Sequence, residues 1–204
     1  MKLHLICIQI PLLLTAFFAR GQGTLIYDQQ SSVDETPWGY ALGAVIQQRS
    51  PIGQSFTPTL SSMDFIRLNL NDNDPTNGLG ATLYVNLHAN TINGTILGST
   101  IPVALSNGFT GVVDFRFASP VQVTAGVEYV FQPVVQSGGD LWRTAILTDS
   151  ANWPGGIAFA NGSPWPASDL WFREGIVVPE PSSALLVVVG VGALLFVRRS
   201  RQRR

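Results

Sequence analysis

The chain has 204 residues, of which 46% are hydrophobic, with twelve Lys or Arg against thirteen Asp or Glu. This near balance averages two unlike parts: residues 22–178 hold five Arg, no Lys and twelve Asp or Glu, a net charge of −7, whereas five Arg fall in the last seven residues. Nucleic-acid binding requires a basic patch, so this acidic body excludes nucleic acid as a partner.

The N-terminus has the form of a secretory signal peptide over residues 1–21. A short basic start precedes an apolar run to Phe18, and Ala19-Arg20-Gly21 offers the small residues that a signal peptidase reads. Cys7, the one cysteine of the chain, lies in this segment. We therefore expect an exported body, residues 22–177, with no disulfide, thiol chemistry or thiolate metal site.

The body has the length of one domain and reads as short strands separated by turn residues. Four segments, 65–70, 81–88, 111–117 and 127–135, alternate apolar and polar residues with the period of half-buried antiparallel strands. Their inward residues are expected to be Ile66, Leu68, Leu70, Leu83, Val85, Leu87, Val113, Phe115, Phe117, Val127, Tyr129 and Phe131. Breaks fall at the pairs 77–78, 93–94, 107–108, 138–139, 155–156 and 161–162, each Asn-Gly or Gly-Gly. No ten-residue helical pattern supplies the crossovers of a parallel sheet, so we predict an all-β fold, an antiparallel β-sandwich of jelly-roll type.

The densest group of oxygen ligands is the run 71–74, Asn-Asp-Asn-Asp. Calcium favours several carboxylate and amide oxygens on one loop, which makes Asp72 and Asp74 calcium candidates. However, Thr76 occupies a ligand position of the EF-hand loop and Gly78 comes one place late. Such residues are also those of a tight connection between strands, and we favour that plain turn over a metal site.

The body contains no recognisable catalytic constellation. His88 is its one histidine and falls on the polar face of a predicted strand, so we expect a solvated side chain. A lone histidine without cysteine does not make a zinc site, and Gly-x-Ser-x-Gly is absent. Two carboxylates about 5–10 Å apart would serve a glycosidase, but none of the twelve acids stands in a recognisable pattern. We predict that the protein is not an enzyme and uses no cofactor.

Tryptophans are the most suggestive residues of the body. Trp153 and Trp165 lie in proline-containing loops, where exposed rings could stack on sugar faces. The alternative, which we favour, is that these rings close the open ends of the sandwich. Trp142 and Trp171 lie on strand-like segments and are expected in the core.

The C-terminal 27 residues, 178–204, have three parts. Pro179-Glu180-Pro181 comes first, and an uncharged apolar run over 182–197 follows. At about 1.5 Å per residue this run makes roughly 24 Å of helix without a polar face, which predicts a transmembrane helix and not a buried one. The arginines that stop it should stay in the cytoplasm, leaving the body in the periplasm. They are Arg198, Arg199, Arg201, Arg203 and Arg204.

This arrangement resembles the PEP-CTERM sorting signal of exported proteins in Gram-negative bacteria that possess an exosortase. The resemblance implies that an exosortase recognises Pro179-Glu180-Pro181 and processes the tail, so that the inner membrane holds the protein at least transiently. It further implies a final location at the cell surface or in the extracellular matrix, in association with exopolysaccharide.

A second resemblance concerns the body. Gln54-Ser55-Phe56-Thr57 near its start and the run 169–173, Asp-Leu-Trp-Phe-Arg, at its end are similar to a β-sandwich domain of bacterial surface proteins of the choice-of-anchor kind. The segments 94–98 and 124–129 also fit the strands of that domain. This resemblance implies a fold and no shared chemistry.

Two functions therefore stay open. The first is an exosortase-sorted surface or matrix protein whose β-sandwich body is non-catalytic. The second is a carbohydrate-binding module that uses the loop residues Trp153 and Trp165.

Overall fold

Residues 23–35, 42–148 and 153–179 are described by the computed structural model, and within them the regular elements are all β-strands. The all-β prediction is confirmed. The predicted signal peptide and the apolar run 182–197 lie outside the described residues. The strands are β1 (Thr24–Gln30), β2 (Leu42–Val45), β3 (Gly53–Phe56), β4 (Ser62–Asp72), β5 (Ala81–Ala89), β6 (Ile96–Ser99), β7 (Val103–Leu105), β8 (Thr110–Gln122), β9 (Tyr129–Ser137), β10 (Trp142–Thr148), β11 (Ala158–Ala160), β12 (Ser163–Trp165), β13 (Ser168–Leu170) and β14 (Phe172–Val178).

The strands form two seven-stranded sheets. The first has the order β1-β14-β4-β10-β13, with β8 also on β4 and β2 on β10. The second has the order β12-β11-β3-β9-β5-β6, with β7 also on β5. The pairs with a described register are antiparallel, from β4–β8 in the first sheet to β5–β9 in the second. Antiparallel neighbours need no crossover helices, in line with the missing helical pattern.

Apolar side chains of both sheets meet in one core within the compact unit Ile26–Ile176. Phe131 of β9 and Phe172 of β14 come from different sheets, and their ring centroids are 5.0 Å apart. Phe56 of β3 lies 6.0 Å from Phe172 and 6.2 Å from Phe131. Two antiparallel sheets that share a core in this way make a β-sandwich-like body.

The predicted turn pairs lie between consecutive strands in all six cases. The clearest is the β11–β12 hairpin, where Asn161 has φ 54° and Gly162 has φ 73°. Two successive residues with positive φ are the mark of a type I′ turn, for which Asn-Gly is the preferred pair. The Asn161 and Gly162 amides also donate to the carbonyls of Arg49 and Pro51, which holds the hairpin against the β2–β3 connection.

Period-two alternation placed most core residues correctly, with three exceptions. Val127 was expected inside but lies in the turn before β9 and is exposed. His88, expected to be solvated on the polar face of β5, is buried, and so is Asn86 on the same face. The reason is that the outer face of β5 is covered by its own neighbours: Ser99 donates to the Asn86 side chain, and Gly94 in the β5–β6 loop contacts His88. Alternation shows which face is polar, not whether a loop covers it.

Candidate functional site

Trp142 and Trp171 are core residues, as predicted. Both are fully buried, Trp142 in the central core and Trp171 in a smaller apolar cluster with Ala145 and Leu147. The Trp171 indole Nε1 donates to the carbonyl of Asp34 at 2.5 Å. Neither ring is available to a ligand.

Trp153 is partly buried at the edge of the central core. Its ring meets the Phe172 ring edge-on at 5.1 Å, and a side chain on Gly155 would overlap it. Its main-chain N–H donates to Asp169 Oδ2 at 2.6 Å. Trp153 is therefore held both through its ring and through its backbone.

Trp165 was expected in a loop but is the last residue of β12, where it pairs with Ala158 of β11. It is partly buried, packs against the central core and has the Arg49 guanidinium 5.3 Å from its ring centroid. One Trp165 face is thus engaged in a cation–π contact. Trp153 and Trp165 both pack against the central core, and both the closing of the sandwich ends and the stacking on sugars stay predictions.

A buried polar cluster links the two sheets near Trp153. Gln54 of β3 donates from Nε2 to Asp169 Oδ1 at 2.8 Å and accepts from the Leu170 N–H at 2.9 Å. Gln54 is fully buried and Asp169 is 2% exposed. Nearby, Ser55 Oγ accepts from the Ile157 N–H at 2.9 Å. The cluster joins the Gln-Ser-Phe motif to the Asp-Leu-x-Phe-Arg motif, although 115 positions separate Gln54 from Asp169.

The Asp169 carboxylate has opposing influences on its protonation. Burial raises the pKa of Asp169, and the hydrogen bonds from the Trp153 N–H and the Gln54 amide act in the opposite direction. Since both carboxylate oxygens accept a bond, the group is fitted as an acceptor that holds a loop and a strand in place.

An ionic network lies on the face of the first sheet that points away from the central core. Arg67 of β4 binds both carboxylate oxygens of Asp114 at 2.5 and 3.0 Å, and its third nitrogen reaches Glu35 at 3.1 Å. Arg173 of β14 bonds the same Glu35 oxygen at 2.8 Å, and both guanidinium groups flank the Tyr27 ring. The segment Ser31–Glu35, here called the strap, is thereby tied to the sheet. The sequence pattern does not reveal this network, because its cross-strand partners are far apart in the chain.

Asp72 and Asp74 organise the β4–β5 connection. Asp72 is buried, and its two oxygens accept from the main-chain N–H groups of Asp74 and Gly108 at 2.7 and 2.6 Å. Asp74 accepts from the N–H and hydroxyl of Thr76, and those bonds lower its pKa. These are the contacts of a turn. Within ranges 23–35, 42–148 and 153–179, no group of three or more His, Cys, Asp or Glu is placed to hold a metal ion.

The prediction that His88 is solvated is wrong. It is 5% exposed and not solvated, with Nδ1 3.0 Å from the Gly94 carbonyl oxygen and Nε2 2.9 Å from Gln132 Oε1. A carbonyl oxygen can only accept, so Nδ1 carries the proton of the first bond. His88 anchors the β5–β6 loop onto β9.

A shallow groove of about 420 Å³ lies between β6 and β8, lined by residues 97–99 and 117–122. Its lining is uncharged and mixes apolar side chains such as Leu97 and Val121 with Ser99, Ser119 and Gln122. Such a groove supplies neither an acid–base pair nor an ion site.

The residues of the predicted sorting motif lie at or beyond the limit of the described chain. Pro179 follows β14 and is exposed. Glu180, Pro181 and the terminal arginines lie outside the described residues. In the part of the chain that is described, no helix has the length and hydrophobicity to cross a membrane.

Comparison with known proteins adds no identity to this geometry. No protein-family model matches the chain, and no curated protein matches it.

Proposed function

We propose that the protein is an exported surface or matrix protein, sorted by an exosortase through residues 178–204, with a non-catalytic β-sandwich body. The observation that carries the proposal is the order of three parts in one tail: Pro179-Glu180-Pro181, an uncharged apolar run, and five terminal arginines. Such a tail would hold the body outside the inner membrane until it is processed. Exopolysaccharide is then the material that the sorted protein meets.

We infer further that the body is a jelly roll of the choice-of-anchor kind. The two motifs that carry this resemblance hydrogen-bond to each other through Gln54 and Asp169. This contact supports a structural reason for their presence: together they join the two sheets. The carboxylates discussed above serve as backbone acceptors or ion-pair partners, which suits a body without catalysis.

Sorting is tested in a host that carries an exosortase, with an epitope placed after Arg204. The wild-type chain should lose the epitope and release its body from the inner membrane. Replacing Pro179, Glu180 and Pro181 by alanine should keep both epitope and body in the membrane fraction. Pro164→Ala with Pro166→Ala is the matched control, since it removes two prolines around Trp165 in the body. Identical processing of the triple variant and the wild type would contradict the proposal.

The carbohydrate-binding alternative makes a different prediction. If Trp153 and Trp165 stack on sugars, Trp153→Ala and Trp165→Ala should each weaken glycan binding about fivefold, since one stacked ring contributes on the order of 1 kcal/mol. The measurement is a pull-down of cell-derived polysaccharide with the full chain. Trp153→Phe keeps a ring against Phe172 and serves as the control for folding, together with thermal melting of each variant. Wild-type protein that captures no polysaccharide would eliminate this function.

A further inference from the structure

Glu174 is a buried acid that forms no ion pair with a basic side chain among residues 23–35, 42–148 and 153–179. It lies on β14 and is 1% exposed. Its register partner on β4 is Ile66, and two positions earlier Phe172 pairs with Leu68. Ile66, Leu68 and Phe172 all belong to the central core. Because paired residues and alternate residues share a face, Glu174 is directed to the core side of the sheet.

The Glu174 carboxyl binds the main chain of the neighbouring strand. Its Oε1 accepts from the main-chain N–H of Gln29 in β1 at 3.0 Å, and β1 is the neighbour of β14 in the sheet. Two residues on, Ser31 makes conventional attachments to β14: its N–H donates to the Phe172 carbonyl at 3.0 Å and its hydroxyl to the Leu170 carbonyl at 2.9 Å. A titratable side chain thus contributes to the attachment of β1 at Gln29, whereas the bonds of Ser31 to β14 use main-chain groups and a hydroxyl.

A second acid stands beside this bond. Asp28 of β1 acts on Glu174 through its negative charge, while its own oxygens accept from Thr59 and from the Leu60 N–H. Arg173 and Arg67 project from the neighbouring positions to the opposite face, where they bind Glu35 and Asp114. Asp64, the nearest acid along β4, is partly exposed and lies across the register shift at Met63/Phe65.

We propose that Glu174, with Asp28, makes the attachment of β1 to the sheet depend on pH: the neutral carboxyl holds Gln29, and its ionisation favours local separation of β1 while Ser31 stays bound. Burial first, and the Asp28 charge second, raise the pKa of Glu174 from about 4.5 to about 8, and the Gln29 hydrogen bond opposes them. When β1 separates, Glu174 reaches water and its pKa returns to the ordinary range.

The direction of the effect follows from proton linkage. Between pH 4.5 and 8 the paired state binds a proton that the separated state does not. The equilibrium constant for separation therefore rises about tenfold per pH unit across this window. Below the window both states are protonated, and above it both are ionised, so the dependence levels off at either end.

Hydrogen exchange of the full chain, corrected for the intrinsic pH dependence of exchange, tests this profile residue by residue. The Gln29 amide should lose protection about tenfold per pH unit up to a break near pH 8. The Ser31 amide should show no such slope. Glu174→Gln, which keeps an acceptor oxygen without a titration, should make the Gln29 profile flat.

Two matched variants identify the source of the break. Asp28→Asn removes the neighbouring charge and should move the upper break to lower pH. Asp64→Asn removes an acid of β4 and should leave the break in place. A Gln29 amide whose corrected protection is independent of pH in the wild type, or a slope that survives in Glu174→Gln, would overturn the proposal. If Glu174→Gln does not fold, an unmoved break in Asp28→Asn is the result that overturns it.

Discussion

Asp169 and Glu174 are buried carboxylates only five positions apart, on consecutive strands, and they are solvated by the protein in different ways. Asp169 accepts from a side-chain amide on one oxygen and a main-chain N–H on the other, linking β3, β13 and the loop at Trp153. Glu174 accepts from one main-chain N–H and has the Asp28 carboxylate as a neighbour. Burial raises the pKa of both groups, and at Glu174 burial together with the Asp28 charge raises the pKa to about 8.

The difference shows what a buried acid can contribute. With two donors, the charge of Asp169 is partly compensated and the carboxylate acts as a structural junction between sheets. With one donor and a like charge nearby, Glu174 is stable at neutral pH mainly in its protonated form. One sheet thus carries a permanent polar junction at β13 and a pH-sensitive one at β14.

The largest expected effect comes from removing the first junction. Asp169→Ala leaves the Gln54 amide and the Trp153 N–H buried without their acceptor, which should lower the free energy of unfolding by roughly 4 kcal/mol. Chemical denaturation at pH 7 measures this loss. Asp169→Asn keeps one acceptor oxygen and should lose less. A loss for Asp169→Ala no greater than that for the partly exposed Asp64→Ala would contradict the structural role of the junction.

Replacing Glu174 should stabilise the protein, whereas replacing Asp169 should destabilise it. The pKa of Glu174 is about 8 in the folded state and about 4.5 in the unfolded chain. At pH 7 folding therefore requires Glu174 to take up a proton, which costs free energy. Glu174→Gln should therefore raise the free energy of unfolding by on the order of 3 kcal/mol at pH 7 and by almost nothing at pH 4. Denaturation curves at pH 4, 5, 6 and 7 measure the difference. Equal effects of the substitution at pH 4 and pH 7 would show that the titration of Glu174 is not its cause.

The smallest change in the free energy of unfolding is expected at Glu35, which is partly exposed and whose ion-pair partners have other bonds. Glu35 joins Arg67 and Arg173, but its side chain is 42% exposed and Arg67 keeps its bidentate bond to Asp114. Glu35→Gln should cost about 0.5 kcal/mol, and less at about 0.5 M salt, since exposed ion pairs are screened. Glu128→Gln, at an exposed turn, is the matched control. A loss above about 2 kcal/mol at Glu35 would place it with the buried junctions.

Local pattern was sufficient for the strands and turns. Alternation predicted the inward faces of β4, β5 and β8, and Asn161-Gly162 predicted a hairpin, because both depend on residues close in the chain. Dependence on local pattern also explains why Val127 was predicted to face inward although it is exposed. An apolar residue that continues the period cannot be told from a strand residue when the turn begins at its position.

The burial and the partners of individual side chains could not be predicted as well from the sequence. His88 has the position of a solvated residue in the period of β5, yet the β5–β6 loop covers it. Gln54 and Asp169 were noted as motif residues, but their contact joins positions from opposite ends of the body. No spacing rule links such pairs, since their proximity depends on how the sheets stack.

The role proposed for residues 178–204 is based on sequence alone, because it depends on hydrophobicity, length and charge order, which are one-dimensional properties. The all-β class of the body is determined in the same way, through the period of its apolar residues and its turn pairs. The protonation behaviour of each buried acid depends on tertiary structure alone. Asp169 and Glu174 are chemically similar and neighbouring in sequence, and what separates them is the number of N–H groups and charges that distant strands bring to each carboxyl.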